Sequence, residues 1–455
     1  MSKCPMIGLY SLFLVIVTFS VADSGELSMG EITLDAELQK LKQAGIPTTI
    51  EELIPYKLPD EENAAVIYRE IFKMKNSLYE KYKEEWDWIP YVGTKWWDWD
   101  KVPYEMKKRI ADLLLNNDEF ISLFKLLEKA TSMKCQFLNR EDYKNSKTIL
   151  SDLSGIRSCA NLLASKAKIE AENGEVEKAL HTCLIGLKLA KSLNDPFAVS
   201  QLTRISINGI VAREIEKVLQ KGEGNVNLYQ SLIREIESER ENNLTAYGLR
   251  GEIVIHLSYF SDQNKYIEKV IPKESIEQLS LPETEKEEII KIYKDPEEFW
   301  GKQYLTYLQT ASEIISLTKK PYWEVREPMK KLADKIQKLP KEEALMTQWL
   351  IPVPSPLFLR KARLDATLGN AELALALKIY KAKNGGYPDR LTQIVQDILK
   401  ELPKDPFTGE DYVYHRVGYG FVIYSLGDNA KDDGGISAVE KRWQGDFDIV
   451  WKCEK

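Results

Sequence analysis

Apolar residues recur at helical spacing through most of the chain, from Asp35 to about Asn384. Positions three or four residues apart fall on one face of an α-helix, and prolines and glycines divide the pattern into separate helices. Alternation typical of strands is nearly absent from this part. The pattern therefore predicts a mainly α fold with a multi-helix body.

Two start signals indicate where helices begin. Asp60 is placed to cap a helix whose first turn carries Glu61 and Glu62, and the dipole of a helix favours acidic residues there. Asp295 and Pro296 repeat this signal further along the chain. Both helices are expected to be amphipathic and packed against the body.

Residues 160–196 are expected to form two antiparallel helices joined at Asn173 and Gly174, where glycine can adopt the left-handed conformation that ends a helix. This segment resembles one tetratricopeptide-type hairpin. The matching residues are Gly174, Glu177-Lys178-Ala179-Leu180 and Asp195-Pro196, but the second helix is about one turn too long for that repeat. The hairpin is therefore interpreted as repeat-like rather than as part of a solenoid.

The period of the pattern changes near the C-terminus. A long helix is expected from about Arg360 to Asn384, and a short helix near residues 391–399. Residues 412–416 and 421–426 are rich in β-branched and aromatic residues and flank a glycine-containing turn, which predicts a hairpin, and residues 448–451 suit a third strand. The chain is accordingly divided into a helical domain, residues 23–355, and a C-terminal module with a small antiparallel sheet, residues 356–455.

The first residues have the composition of an export signal. Lys3 precedes the apolar run Ile7 to Phe19, and Ser20-Val21-Ala22 places small residues where signal peptidase cleaves. Cleavage after Ala22 would remove residues 1–22 as a signal peptide. The alternative is an uncleaved membrane anchor, although the run is shorter than the roughly 20 residues that a spanning helix needs. We expect an exported protein, periplasmic or in the cell envelope, that meets the membrane only if the segment stays uncleaved.

Composition narrows the classes of partner. With 44% hydrophobic and 29% charged residues among 455, the chain is ordinary globular material. Its net charge of −7 gives no general attraction to nucleic acid or to acidic lipid. We therefore expect a protein or glycan partner and no nucleic acid.

Motifs for catalysis are scarce. The three histidines, His181, His256 and His415, are widely spaced, and no metalloprotease, serine-hydrolase or phosphate-loop pattern occurs. The cysteines that would remain after cleavage are expected to be buried and structural, with one disulfide as the alternative that an oxidising compartment would permit; they are Cys135, Cys159, Cys183 and Cys453.

Tryptophans and acidic residues alternate within residues 86–100. The tryptophans are Trp86, Trp88, Trp96, Trp97 and Trp99, and the carboxylates are Asp87, Asp98 and Asp100. Flat aromatic faces stack on sugar rings while carboxylates accept hydroxyl hydrogen bonds, so one interpretation is a glycan-binding or glycan-hydrolysing platform. The other, which we favour, is a loop pinned to the helical body by large aromatic side chains.

The last ninety or so residues carry a resemblance. The order is a long helix, Asn-Gly-Gly-Tyr-Pro, Leu-Pro-Lys-Asp-Pro-Phe, a β-hairpin, Tyr-Ser-Leu-Gly, an acidic glycine-containing loop and Asp-Phe-Asp-Ile. This order resembles the C-terminal part of the major pseudopilins of type II secretion. The whole chain, including Glu61-Glu62-Asn63-Ala64-Ala65 and Tyr68, also resembles a group of exported bacterial proteins of unassigned function.

The resemblance to pseudopilins implies calcium binding in the loop after the hairpin. Calcium prefers six to eight oxygen ligands, and the loop offers several carboxylates beside glycines that permit tight turns. The candidate ligands are the Leu426 carbonyl, Asp428, Asn429, Asp432, Asp433, Asp446 and Asp448. Asn429 falls where the family has its first acidic ligand, and Asp446 and Asp448 match the closing pair only loosely. The alternative is an acidic surface turn.

The N-terminus departs from the pseudopilin pattern, because residues 1–30 lack a prepilin-peptidase site and the glutamate that follows it. Polymerisation into a pilus is therefore not expected. The sequence favours an exported, non-catalytic binding or scaffold protein with a calcium-stabilised C-terminal loop. The alternative is a helical protein that binds or hydrolyses glycans through residues 86–100.

Overall fold

The computed structural model describes residues 28–29, 32–95, 99–142, 146–261, 286, 290, 296–351, 355–437, 440 and 447–453. Helices dominate these residues, and a small antiparallel sheet closes the chain, as the sequence predicts. The expected signal segment, residues 1–22, lies outside the described part. Within that part, no helix is both long and apolar enough to cross a membrane.

The first half of the chain begins with a minimal two-stranded ribbon, β1 (Ser28–Met29) and β2 (Ile32–Thr33). Its helices are α1 (Leu34–Gln43), α2 (Ile50–Leu53), α3 (Ala64–Lys81), α4 (Lys83–Trp86), α5 (Tyr104–Asn116), α6 (Asp118–Thr131), α7 (Ser146–Glu172) and α8 (Val176–Lys191). Short 3-10 turns span Asp60–Glu62 and Trp99–Lys101.

The second half contains α9 (Ala198–Lys221), α10 (Val226–Glu241), α11 (Leu244–Ser261), α12 (Pro296–Thr318), α13 (Tyr322–Lys338), α14 (Lys341–Leu350) and α15 (Ser355–Asn384). A 3-10 turn at Leu391–Ile394 precedes β3 (Val413–Val417), β4 (Gly420–Ser425) and β5 (Ile449–Cys453). These three strands form one antiparallel sheet in the order β3-β4-β5.

The predicted cap at Asp60 is wrong, because α3 begins later. Residues 60–62 form a 3-10 turn, and Asn63 caps the helix by accepting the Ala65 amide at 3.0 Å. The Asn63 side chain also bonds both backbone groups of Gln136, which requires it to lie at the helix end. A tertiary contact thus fixes the start of α3. The second start signal is confirmed, since α12 begins at Pro296.

The predicted pair of helices joined at Gly174 is confirmed, although its first helix begins at Ser146 and not near residue 160. Helices α7 and α8 pack together, and Gly174 between them adopts a φ of +80°. Its detailed likeness to a tetratricopeptide unit stays a prediction.

The C-terminal elements match the sequence pattern with small shifts. The long helix starts at Ser355, one turn earlier than expected, and the expected short helix near residues 391–399 is reduced to a 3-10 turn. The strands lie within one or two residues of their predicted positions. Val417 pairs with Gly420, so Gly418 and Tyr419 make a two-residue turn in which Gly418 has a φ of +57°.

One hydrophobic core runs through both halves of the chain. It contains Tyr68 and Phe120 of the first half together with Leu368, Phe421 and Trp451 of the C-terminal segment. Helix α15 packs on α9 and α10, and β5 packs on α15 and α9. The side chains of Glu216 and Gln220 on α9 bond the backbone of Lys452 in β5, at 3.1 and 3.4 Å. The division at residue 355 stays a prediction, although the C-terminal segment shares this core.

Candidate functional site

A groove opens where three segments distant in sequence meet beside α11. Two adjoining cavities of about 420 Å³ each make up this groove. Both are bounded by Leu53, Pro196 and Tyr247. The first cavity is also lined by Lys42, Gly45, Ile46, Pro47, Glu52 and Arg250. The second is also lined by some of the residues in the ranges 54–58, 131–138 and 188–195. Each volume lies in the range that small ligands or short peptide segments occupy.

Side-chain hydrogen bonds hold the outer wall of the groove together. The Gln136 amide accepts the Leu58 N–H at 2.7 Å and donates to the Tyr56 carbonyl at 3.1 Å. Arg140 donates to the carbonyls of Ile54 and Pro55, at 2.8 and 2.7 Å. The two irregular segments, 54–58 and 134–140, therefore form one supported wall rather than two separate loops.

The floor of the groove contains a buried carboxyl group. Asp195 is only 4% exposed, and burial raises its pKa to about 7. Nearby Asp152 adds to the rise, whereas the Leu138 amide and Arg69 oppose it. Beside it the hydroxyl groups of Ser192 and Tyr68 lie 2.7 Å apart. The floor therefore carries a carboxyl group that burial keeps protonated at a higher pH than an exposed aspartate.

A glycine on α11 sets the position of the groove's inner side. Gly251 donates its N–H to the Pro196 carbonyl at 2.7 Å, and a Cβ atom there would lie 2.0 Å from the same oxygen. Only glycine permits this approach. The contact fixes this part of α11 against Pro196. It thereby positions Arg250, the preceding residue, and Tyr247, one turn earlier.

Positive charge predominates along the groove. Its lining includes the cations Lys42, Lys134, Lys188, Lys191 and Arg250, against the anions Glu52 and Asp195. Glu52 accepts the Thr48 N–H at 2.7 Å, and this bond is the main cause of its lowered pKa. The local balance is opposite to the net charge of the chain, −7.

One cysteine lies in the groove. Cys135 is half-buried, and burial raises the pKa of its thiol well above the ordinary value, so the thiol is protonated at neutral pH. Cys159, Cys183 and Cys453 are buried, and all four thiols are free. The expectation of buried structural cysteines is thus confirmed for three of them, and the disulfide alternative is wrong for the described cysteines.

The tryptophan segment packs largely on the protein itself. Trp86 is 7% exposed and contacts Tyr79 edge-on, with ring centroids 5.7 Å apart. The Lys95 ammonium lies 5.8 Å from the Trp88 ring. Two lysines, Lys107 and Lys168, lie 5.5 and 5.7 Å from the ring of Trp99. These three tryptophans act as anchors of the loop.

Part of the predicted glycan platform lies outside the described residues, namely Trp96, Trp97 and Asp98. Of the other two carboxylates, Asp87 lies 3.4 Å from the Lys95 ammonium, and Asp100 sits in the 3-10 turn Trp99–Lys101. The glycan interpretation of residues 86–100 stays a prediction that depends on Trp96 and Trp97.

The acidic loop after β4 is organised by donors from the protein. Arg363 on α15 pairs with the Asp428 carboxylate, its Nε lying 3.0 and 3.1 Å from the two oxygens. Asp432 accepts the Tyr424 hydroxyl at 3.1 Å and the Gly434 N–H at 2.8 Å. Asp448 is 1% exposed and accepts the Gly435 N–H at 2.8 Å. Each of these three carboxylates therefore has a donor from the protein, and Asp428 alone among them is paired with a cation in the described residues.

The remaining predicted calcium ligands bond their neighbours. Asn429 donates to Asp433 at 3.0 Å, whereas Leu426, whose carbonyl is the predicted ligand, donates its N–H to Asp405 at 2.9 Å. Asp446 lies outside the described residues. Within the described ranges, no group of three or more His, Cys, Asp or Glu residues could hold a metal ion. Calcium binding, which also involves Asp446 and carbonyl or amide oxygens, stays a prediction.

Sequence patterns could not indicate the groove. Its walls come from segments separated by more than fifty residues, and Gln136, Arg140 and Arg250 belong to no recognisable motif. Asp195 and Pro196 were noticeable in the sequence, but as the end of a helical hairpin. No protein-family model, no curated protein and no solved structure matches this chain, and its resemblance to the pseudopilins stays a prediction from the sequence.

Proposed function

We propose that this chain is an exported, non-catalytic binding protein whose helical body receives its partner in the groove between residues 42–58, 131–138 and 188–196. The observation that carries the proposal is the groove itself. Its wall is fixed by side-chain hydrogen bonds, its size suits a ligand, and its lining combines apolar surface with cations. Rigid irregular walls of this kind are typical of binding surfaces.

The polar groups of the groove favour binding over bond cleavage. The Ser192 hydroxyl is bonded to Tyr68, and the Cys135 thiol is protonated because burial raises its pKa. A nucleophile needs a base that takes up its proton, whereas the nearby carboxyl groups of Asp195 and Asp152 raise the pKa of the Cys135 thiol further. His256, which is half-buried, bonds the Tyr307 hydroxyl and is not part of this lining.

Ligand screening by thermal melting tests the proposal, because a ligand that binds only the native state raises the melting temperature. The alkylation rate of Cys135 then shows whether the ligand occupies the groove. With Cys4 replaced by serine, Cys135 is the half-exposed native thiol, and a ligand in the groove should slow its alkylation while the buried Cys159 stays unreactive. A ligand that stabilises the protein but leaves the Cys135 alkylation rate unchanged would place binding elsewhere.

Export belongs to the same proposal. Mass spectrometry of the protein recovered from the cell envelope should show a chain that begins after Ala22. Recovery of the uncleaved chain with the membrane fraction would support the anchored alternative.

The glycan alternative requires Trp96 or Trp97 to offer an open face. It predicts that soluble oligosaccharides change the tryptophan fluorescence and that Trp97→Ala removes the response. Trp86→Phe is the matched control, because Trp86 is buried against Tyr79. A fluorescence response to no member of a broad glycan panel would exclude this alternative.

Calcium in the C-terminal loop is tested by calorimetry on the whole chain, since the C-terminal segment shares its core with the body. The loop already has protein donors for Asp428, Asp432 and Asp448, so it should stay folded in a chelator. Saturable calcium binding that Asp446→Ala abolishes would establish the site implied by the pseudopilins.

A further inference from the structure

Three cations of the groove lack an anionic partner. The side-chain ammonium groups of Lys134 and Lys188 form no hydrogen bond or ion pair in the part of the chain that the structure describes. The Arg250 side chain has no ion pair among the described residues, and its guanidinium carbon lies 6.0 Å from the centroid of the Tyr247 ring. By contrast, Lys191 is neutralised by Glu235 at 2.5 Å. The groove therefore carries uncompensated positive charge at both ends, Arg250 in one cavity and Lys134 with Lys188 in the other.

The Nε atom of Arg250 is buried and has no hydrogen-bond partner among the described residues. Arg250 as a whole is half-buried in the lining of its cavity and has no ion pair among the described residues, so an anion that enters the cavity would meet an unpaired guanidinium. A carboxylate is the acceptor whose geometry matches a guanidinium, because its two oxygens can take two parallel N–H bonds. The site thus favours an anion over a neutral ligand.

Several acceptors of the groove that could bind a sugar are already engaged. Gln136 uses both atoms of its amide in the wall, and Glu52 accepts both the N–H and the hydroxyl of Thr48. Asp195 is buried and accepts the Leu138 amide. Between the cationic ends the lining is apolar or aromatic, with Leu53, Pro196 and Tyr247. These groups suit carbon-rich side chains better than hydroxyl groups.

We infer that the groove binds an acidic peptide segment, with one carboxylate on Arg250, an apolar side chain over Leu53, Pro196 and Tyr247, and a second carboxylate near Lys134 and Lys188. The inference rests on the proposed function, because it assigns the class of partner to the same groove. The charges are complementary, and such complementarity determines specificity and the rate of association.

The test is fluorescence anisotropy of the whole protein with a labelled peptide of alternating glutamate and leucine. Matched peptides replace each glutamate by glutamine, or each leucine by serine. The acidic apolar peptide should bind saturably and the other two much more weakly. Arg250→Gln should raise its Kd about tenfold or more, because it removes the bonds to a partly desolvated carboxylate. Lys188→Gln should have a smaller effect, and Lys108→Gln, on the exposed side of α5, none.

Circular dichroism and melting verify that each variant is folded, and Arg250→Lys provides a second variant that keeps the charge but loses Nε. The inference is overturned if the glutamine peptide binds as well as the acidic one, if neither Arg250 variant changes the Kd, or if an oligogalacturonate binds more tightly than the peptide. A neutral ligand that protects Cys135 while the acidic peptide does not bind would overturn the inference but leave the proposed function standing. Binding of the acidic peptide without protection of Cys135 would contradict both.

Discussion

Asp195, in the floor of the groove, makes the stability of the fold depend on pH. Burial raises its pKa from 3.8 to about 7. Between these two values the native state holds a proton that the unfolded chain has released, so the free energy of unfolding falls as pH rises from about 4 to about 7. Glu216, whose pKa burial also raises to about 7, acts in the same direction.

We predict that Asp195→Asn weakens the fall in the free energy of unfolding with rising pH. The stability of the variant minus that of wild type should therefore be greater at pH 8 than at pH 5. The expected difference is on the order of 2 kcal/mol, reduced from the full shift by relaxation around the charge. Urea denaturation at a series of pH values measures it, with Asp397→Asn on the exposed surface as the control. A slope that is the same in wild type and Asp195→Asn would show that this carboxyl group is ionised at little cost.

Gly251 is the second residue on which the groove depends. We predict that Gly251→Ala costs about 2–3 kcal/mol, because the added methyl group would meet the Pro196 carbonyl oxygen at 2.0 Å and force α11 away. Gly301→Ala is the matched helical control, since its Cβ meets nothing within 4 Å, and it should gain about 0.5–1 kcal/mol. Chemical denaturation compares the two. Equal effects would mean that α11 moves away from Pro196 without cost.

At the scale of elements, Asp405 holds the end of β4 to the turn before β3. Its carboxylate is 1% exposed and accepts the Phe407 N–H at 3.0 Å, the Ser425 hydroxyl at 2.8 Å and the Leu426 N–H at 2.9 Å. This one carboxylate accepts hydrogen bonds from all three donors at the start of the acidic loop.

We predict that Asp405→Ala destabilises the protein by about 3 kcal/mol, because three donors lose a charged acceptor and two of them stay buried. Asp411→Ala, which removes only the exposed pair with Lys404, should cost less than about 1 kcal/mol. Denaturation midpoints of the two variants separate these effects. A loss at Asp405 as small as that at Asp411 would show that water replaces the carboxylate.

Elements were predictable where one local period determines them. The hairpin of α7 and α8, the start of α12 at Pro296, and the three C-terminal strands follow from helical or alternating spacing with glycine or proline at the ends. The start of α3 was not predictable from a local pattern, because bonds to the distant Gln136 place Asn63 at the cap position. The groove was not predictable either, since its wall is irregular backbone that side chains from a distant segment support.

At the scale of the whole molecule, the continuous core joins the helical body to the C-terminal sheet. Arg240 on α10 and Glu372 on α15 form a partly buried ion pair at 2.5 Å, and Arg204 with Glu239 links α9 to α10. Burial raises the pKa of Glu372 to about 7 despite the pair, so the contact gives the helices a fixed register more than stability.

We predict one cooperative unfolding transition for both halves. Cys159 on α7 and Cys453 on β5 are buried in the same core, the first in the helical body and the second in the C-terminal sheet. Pulsed alkylation in increasing urea, read by mass spectrometry, should expose both thiols at the same midpoint. Exposure of Cys453 at clearly lower urea would support an independent module over residues 356–455.

The central claim is that the groove beside α11 is the binding site of this protein. Hydrogen-exchange mass spectrometry of the whole chain, with and without a saturating acidic apolar peptide, tests it most directly. We predict slower exchange in residues 45–58, 133–138 and 193–196 and unchanged exchange at the β3–β4 turn. Protection confined to residues 86–100 or to the C-terminal loop, or no protection at all, would contradict the claim.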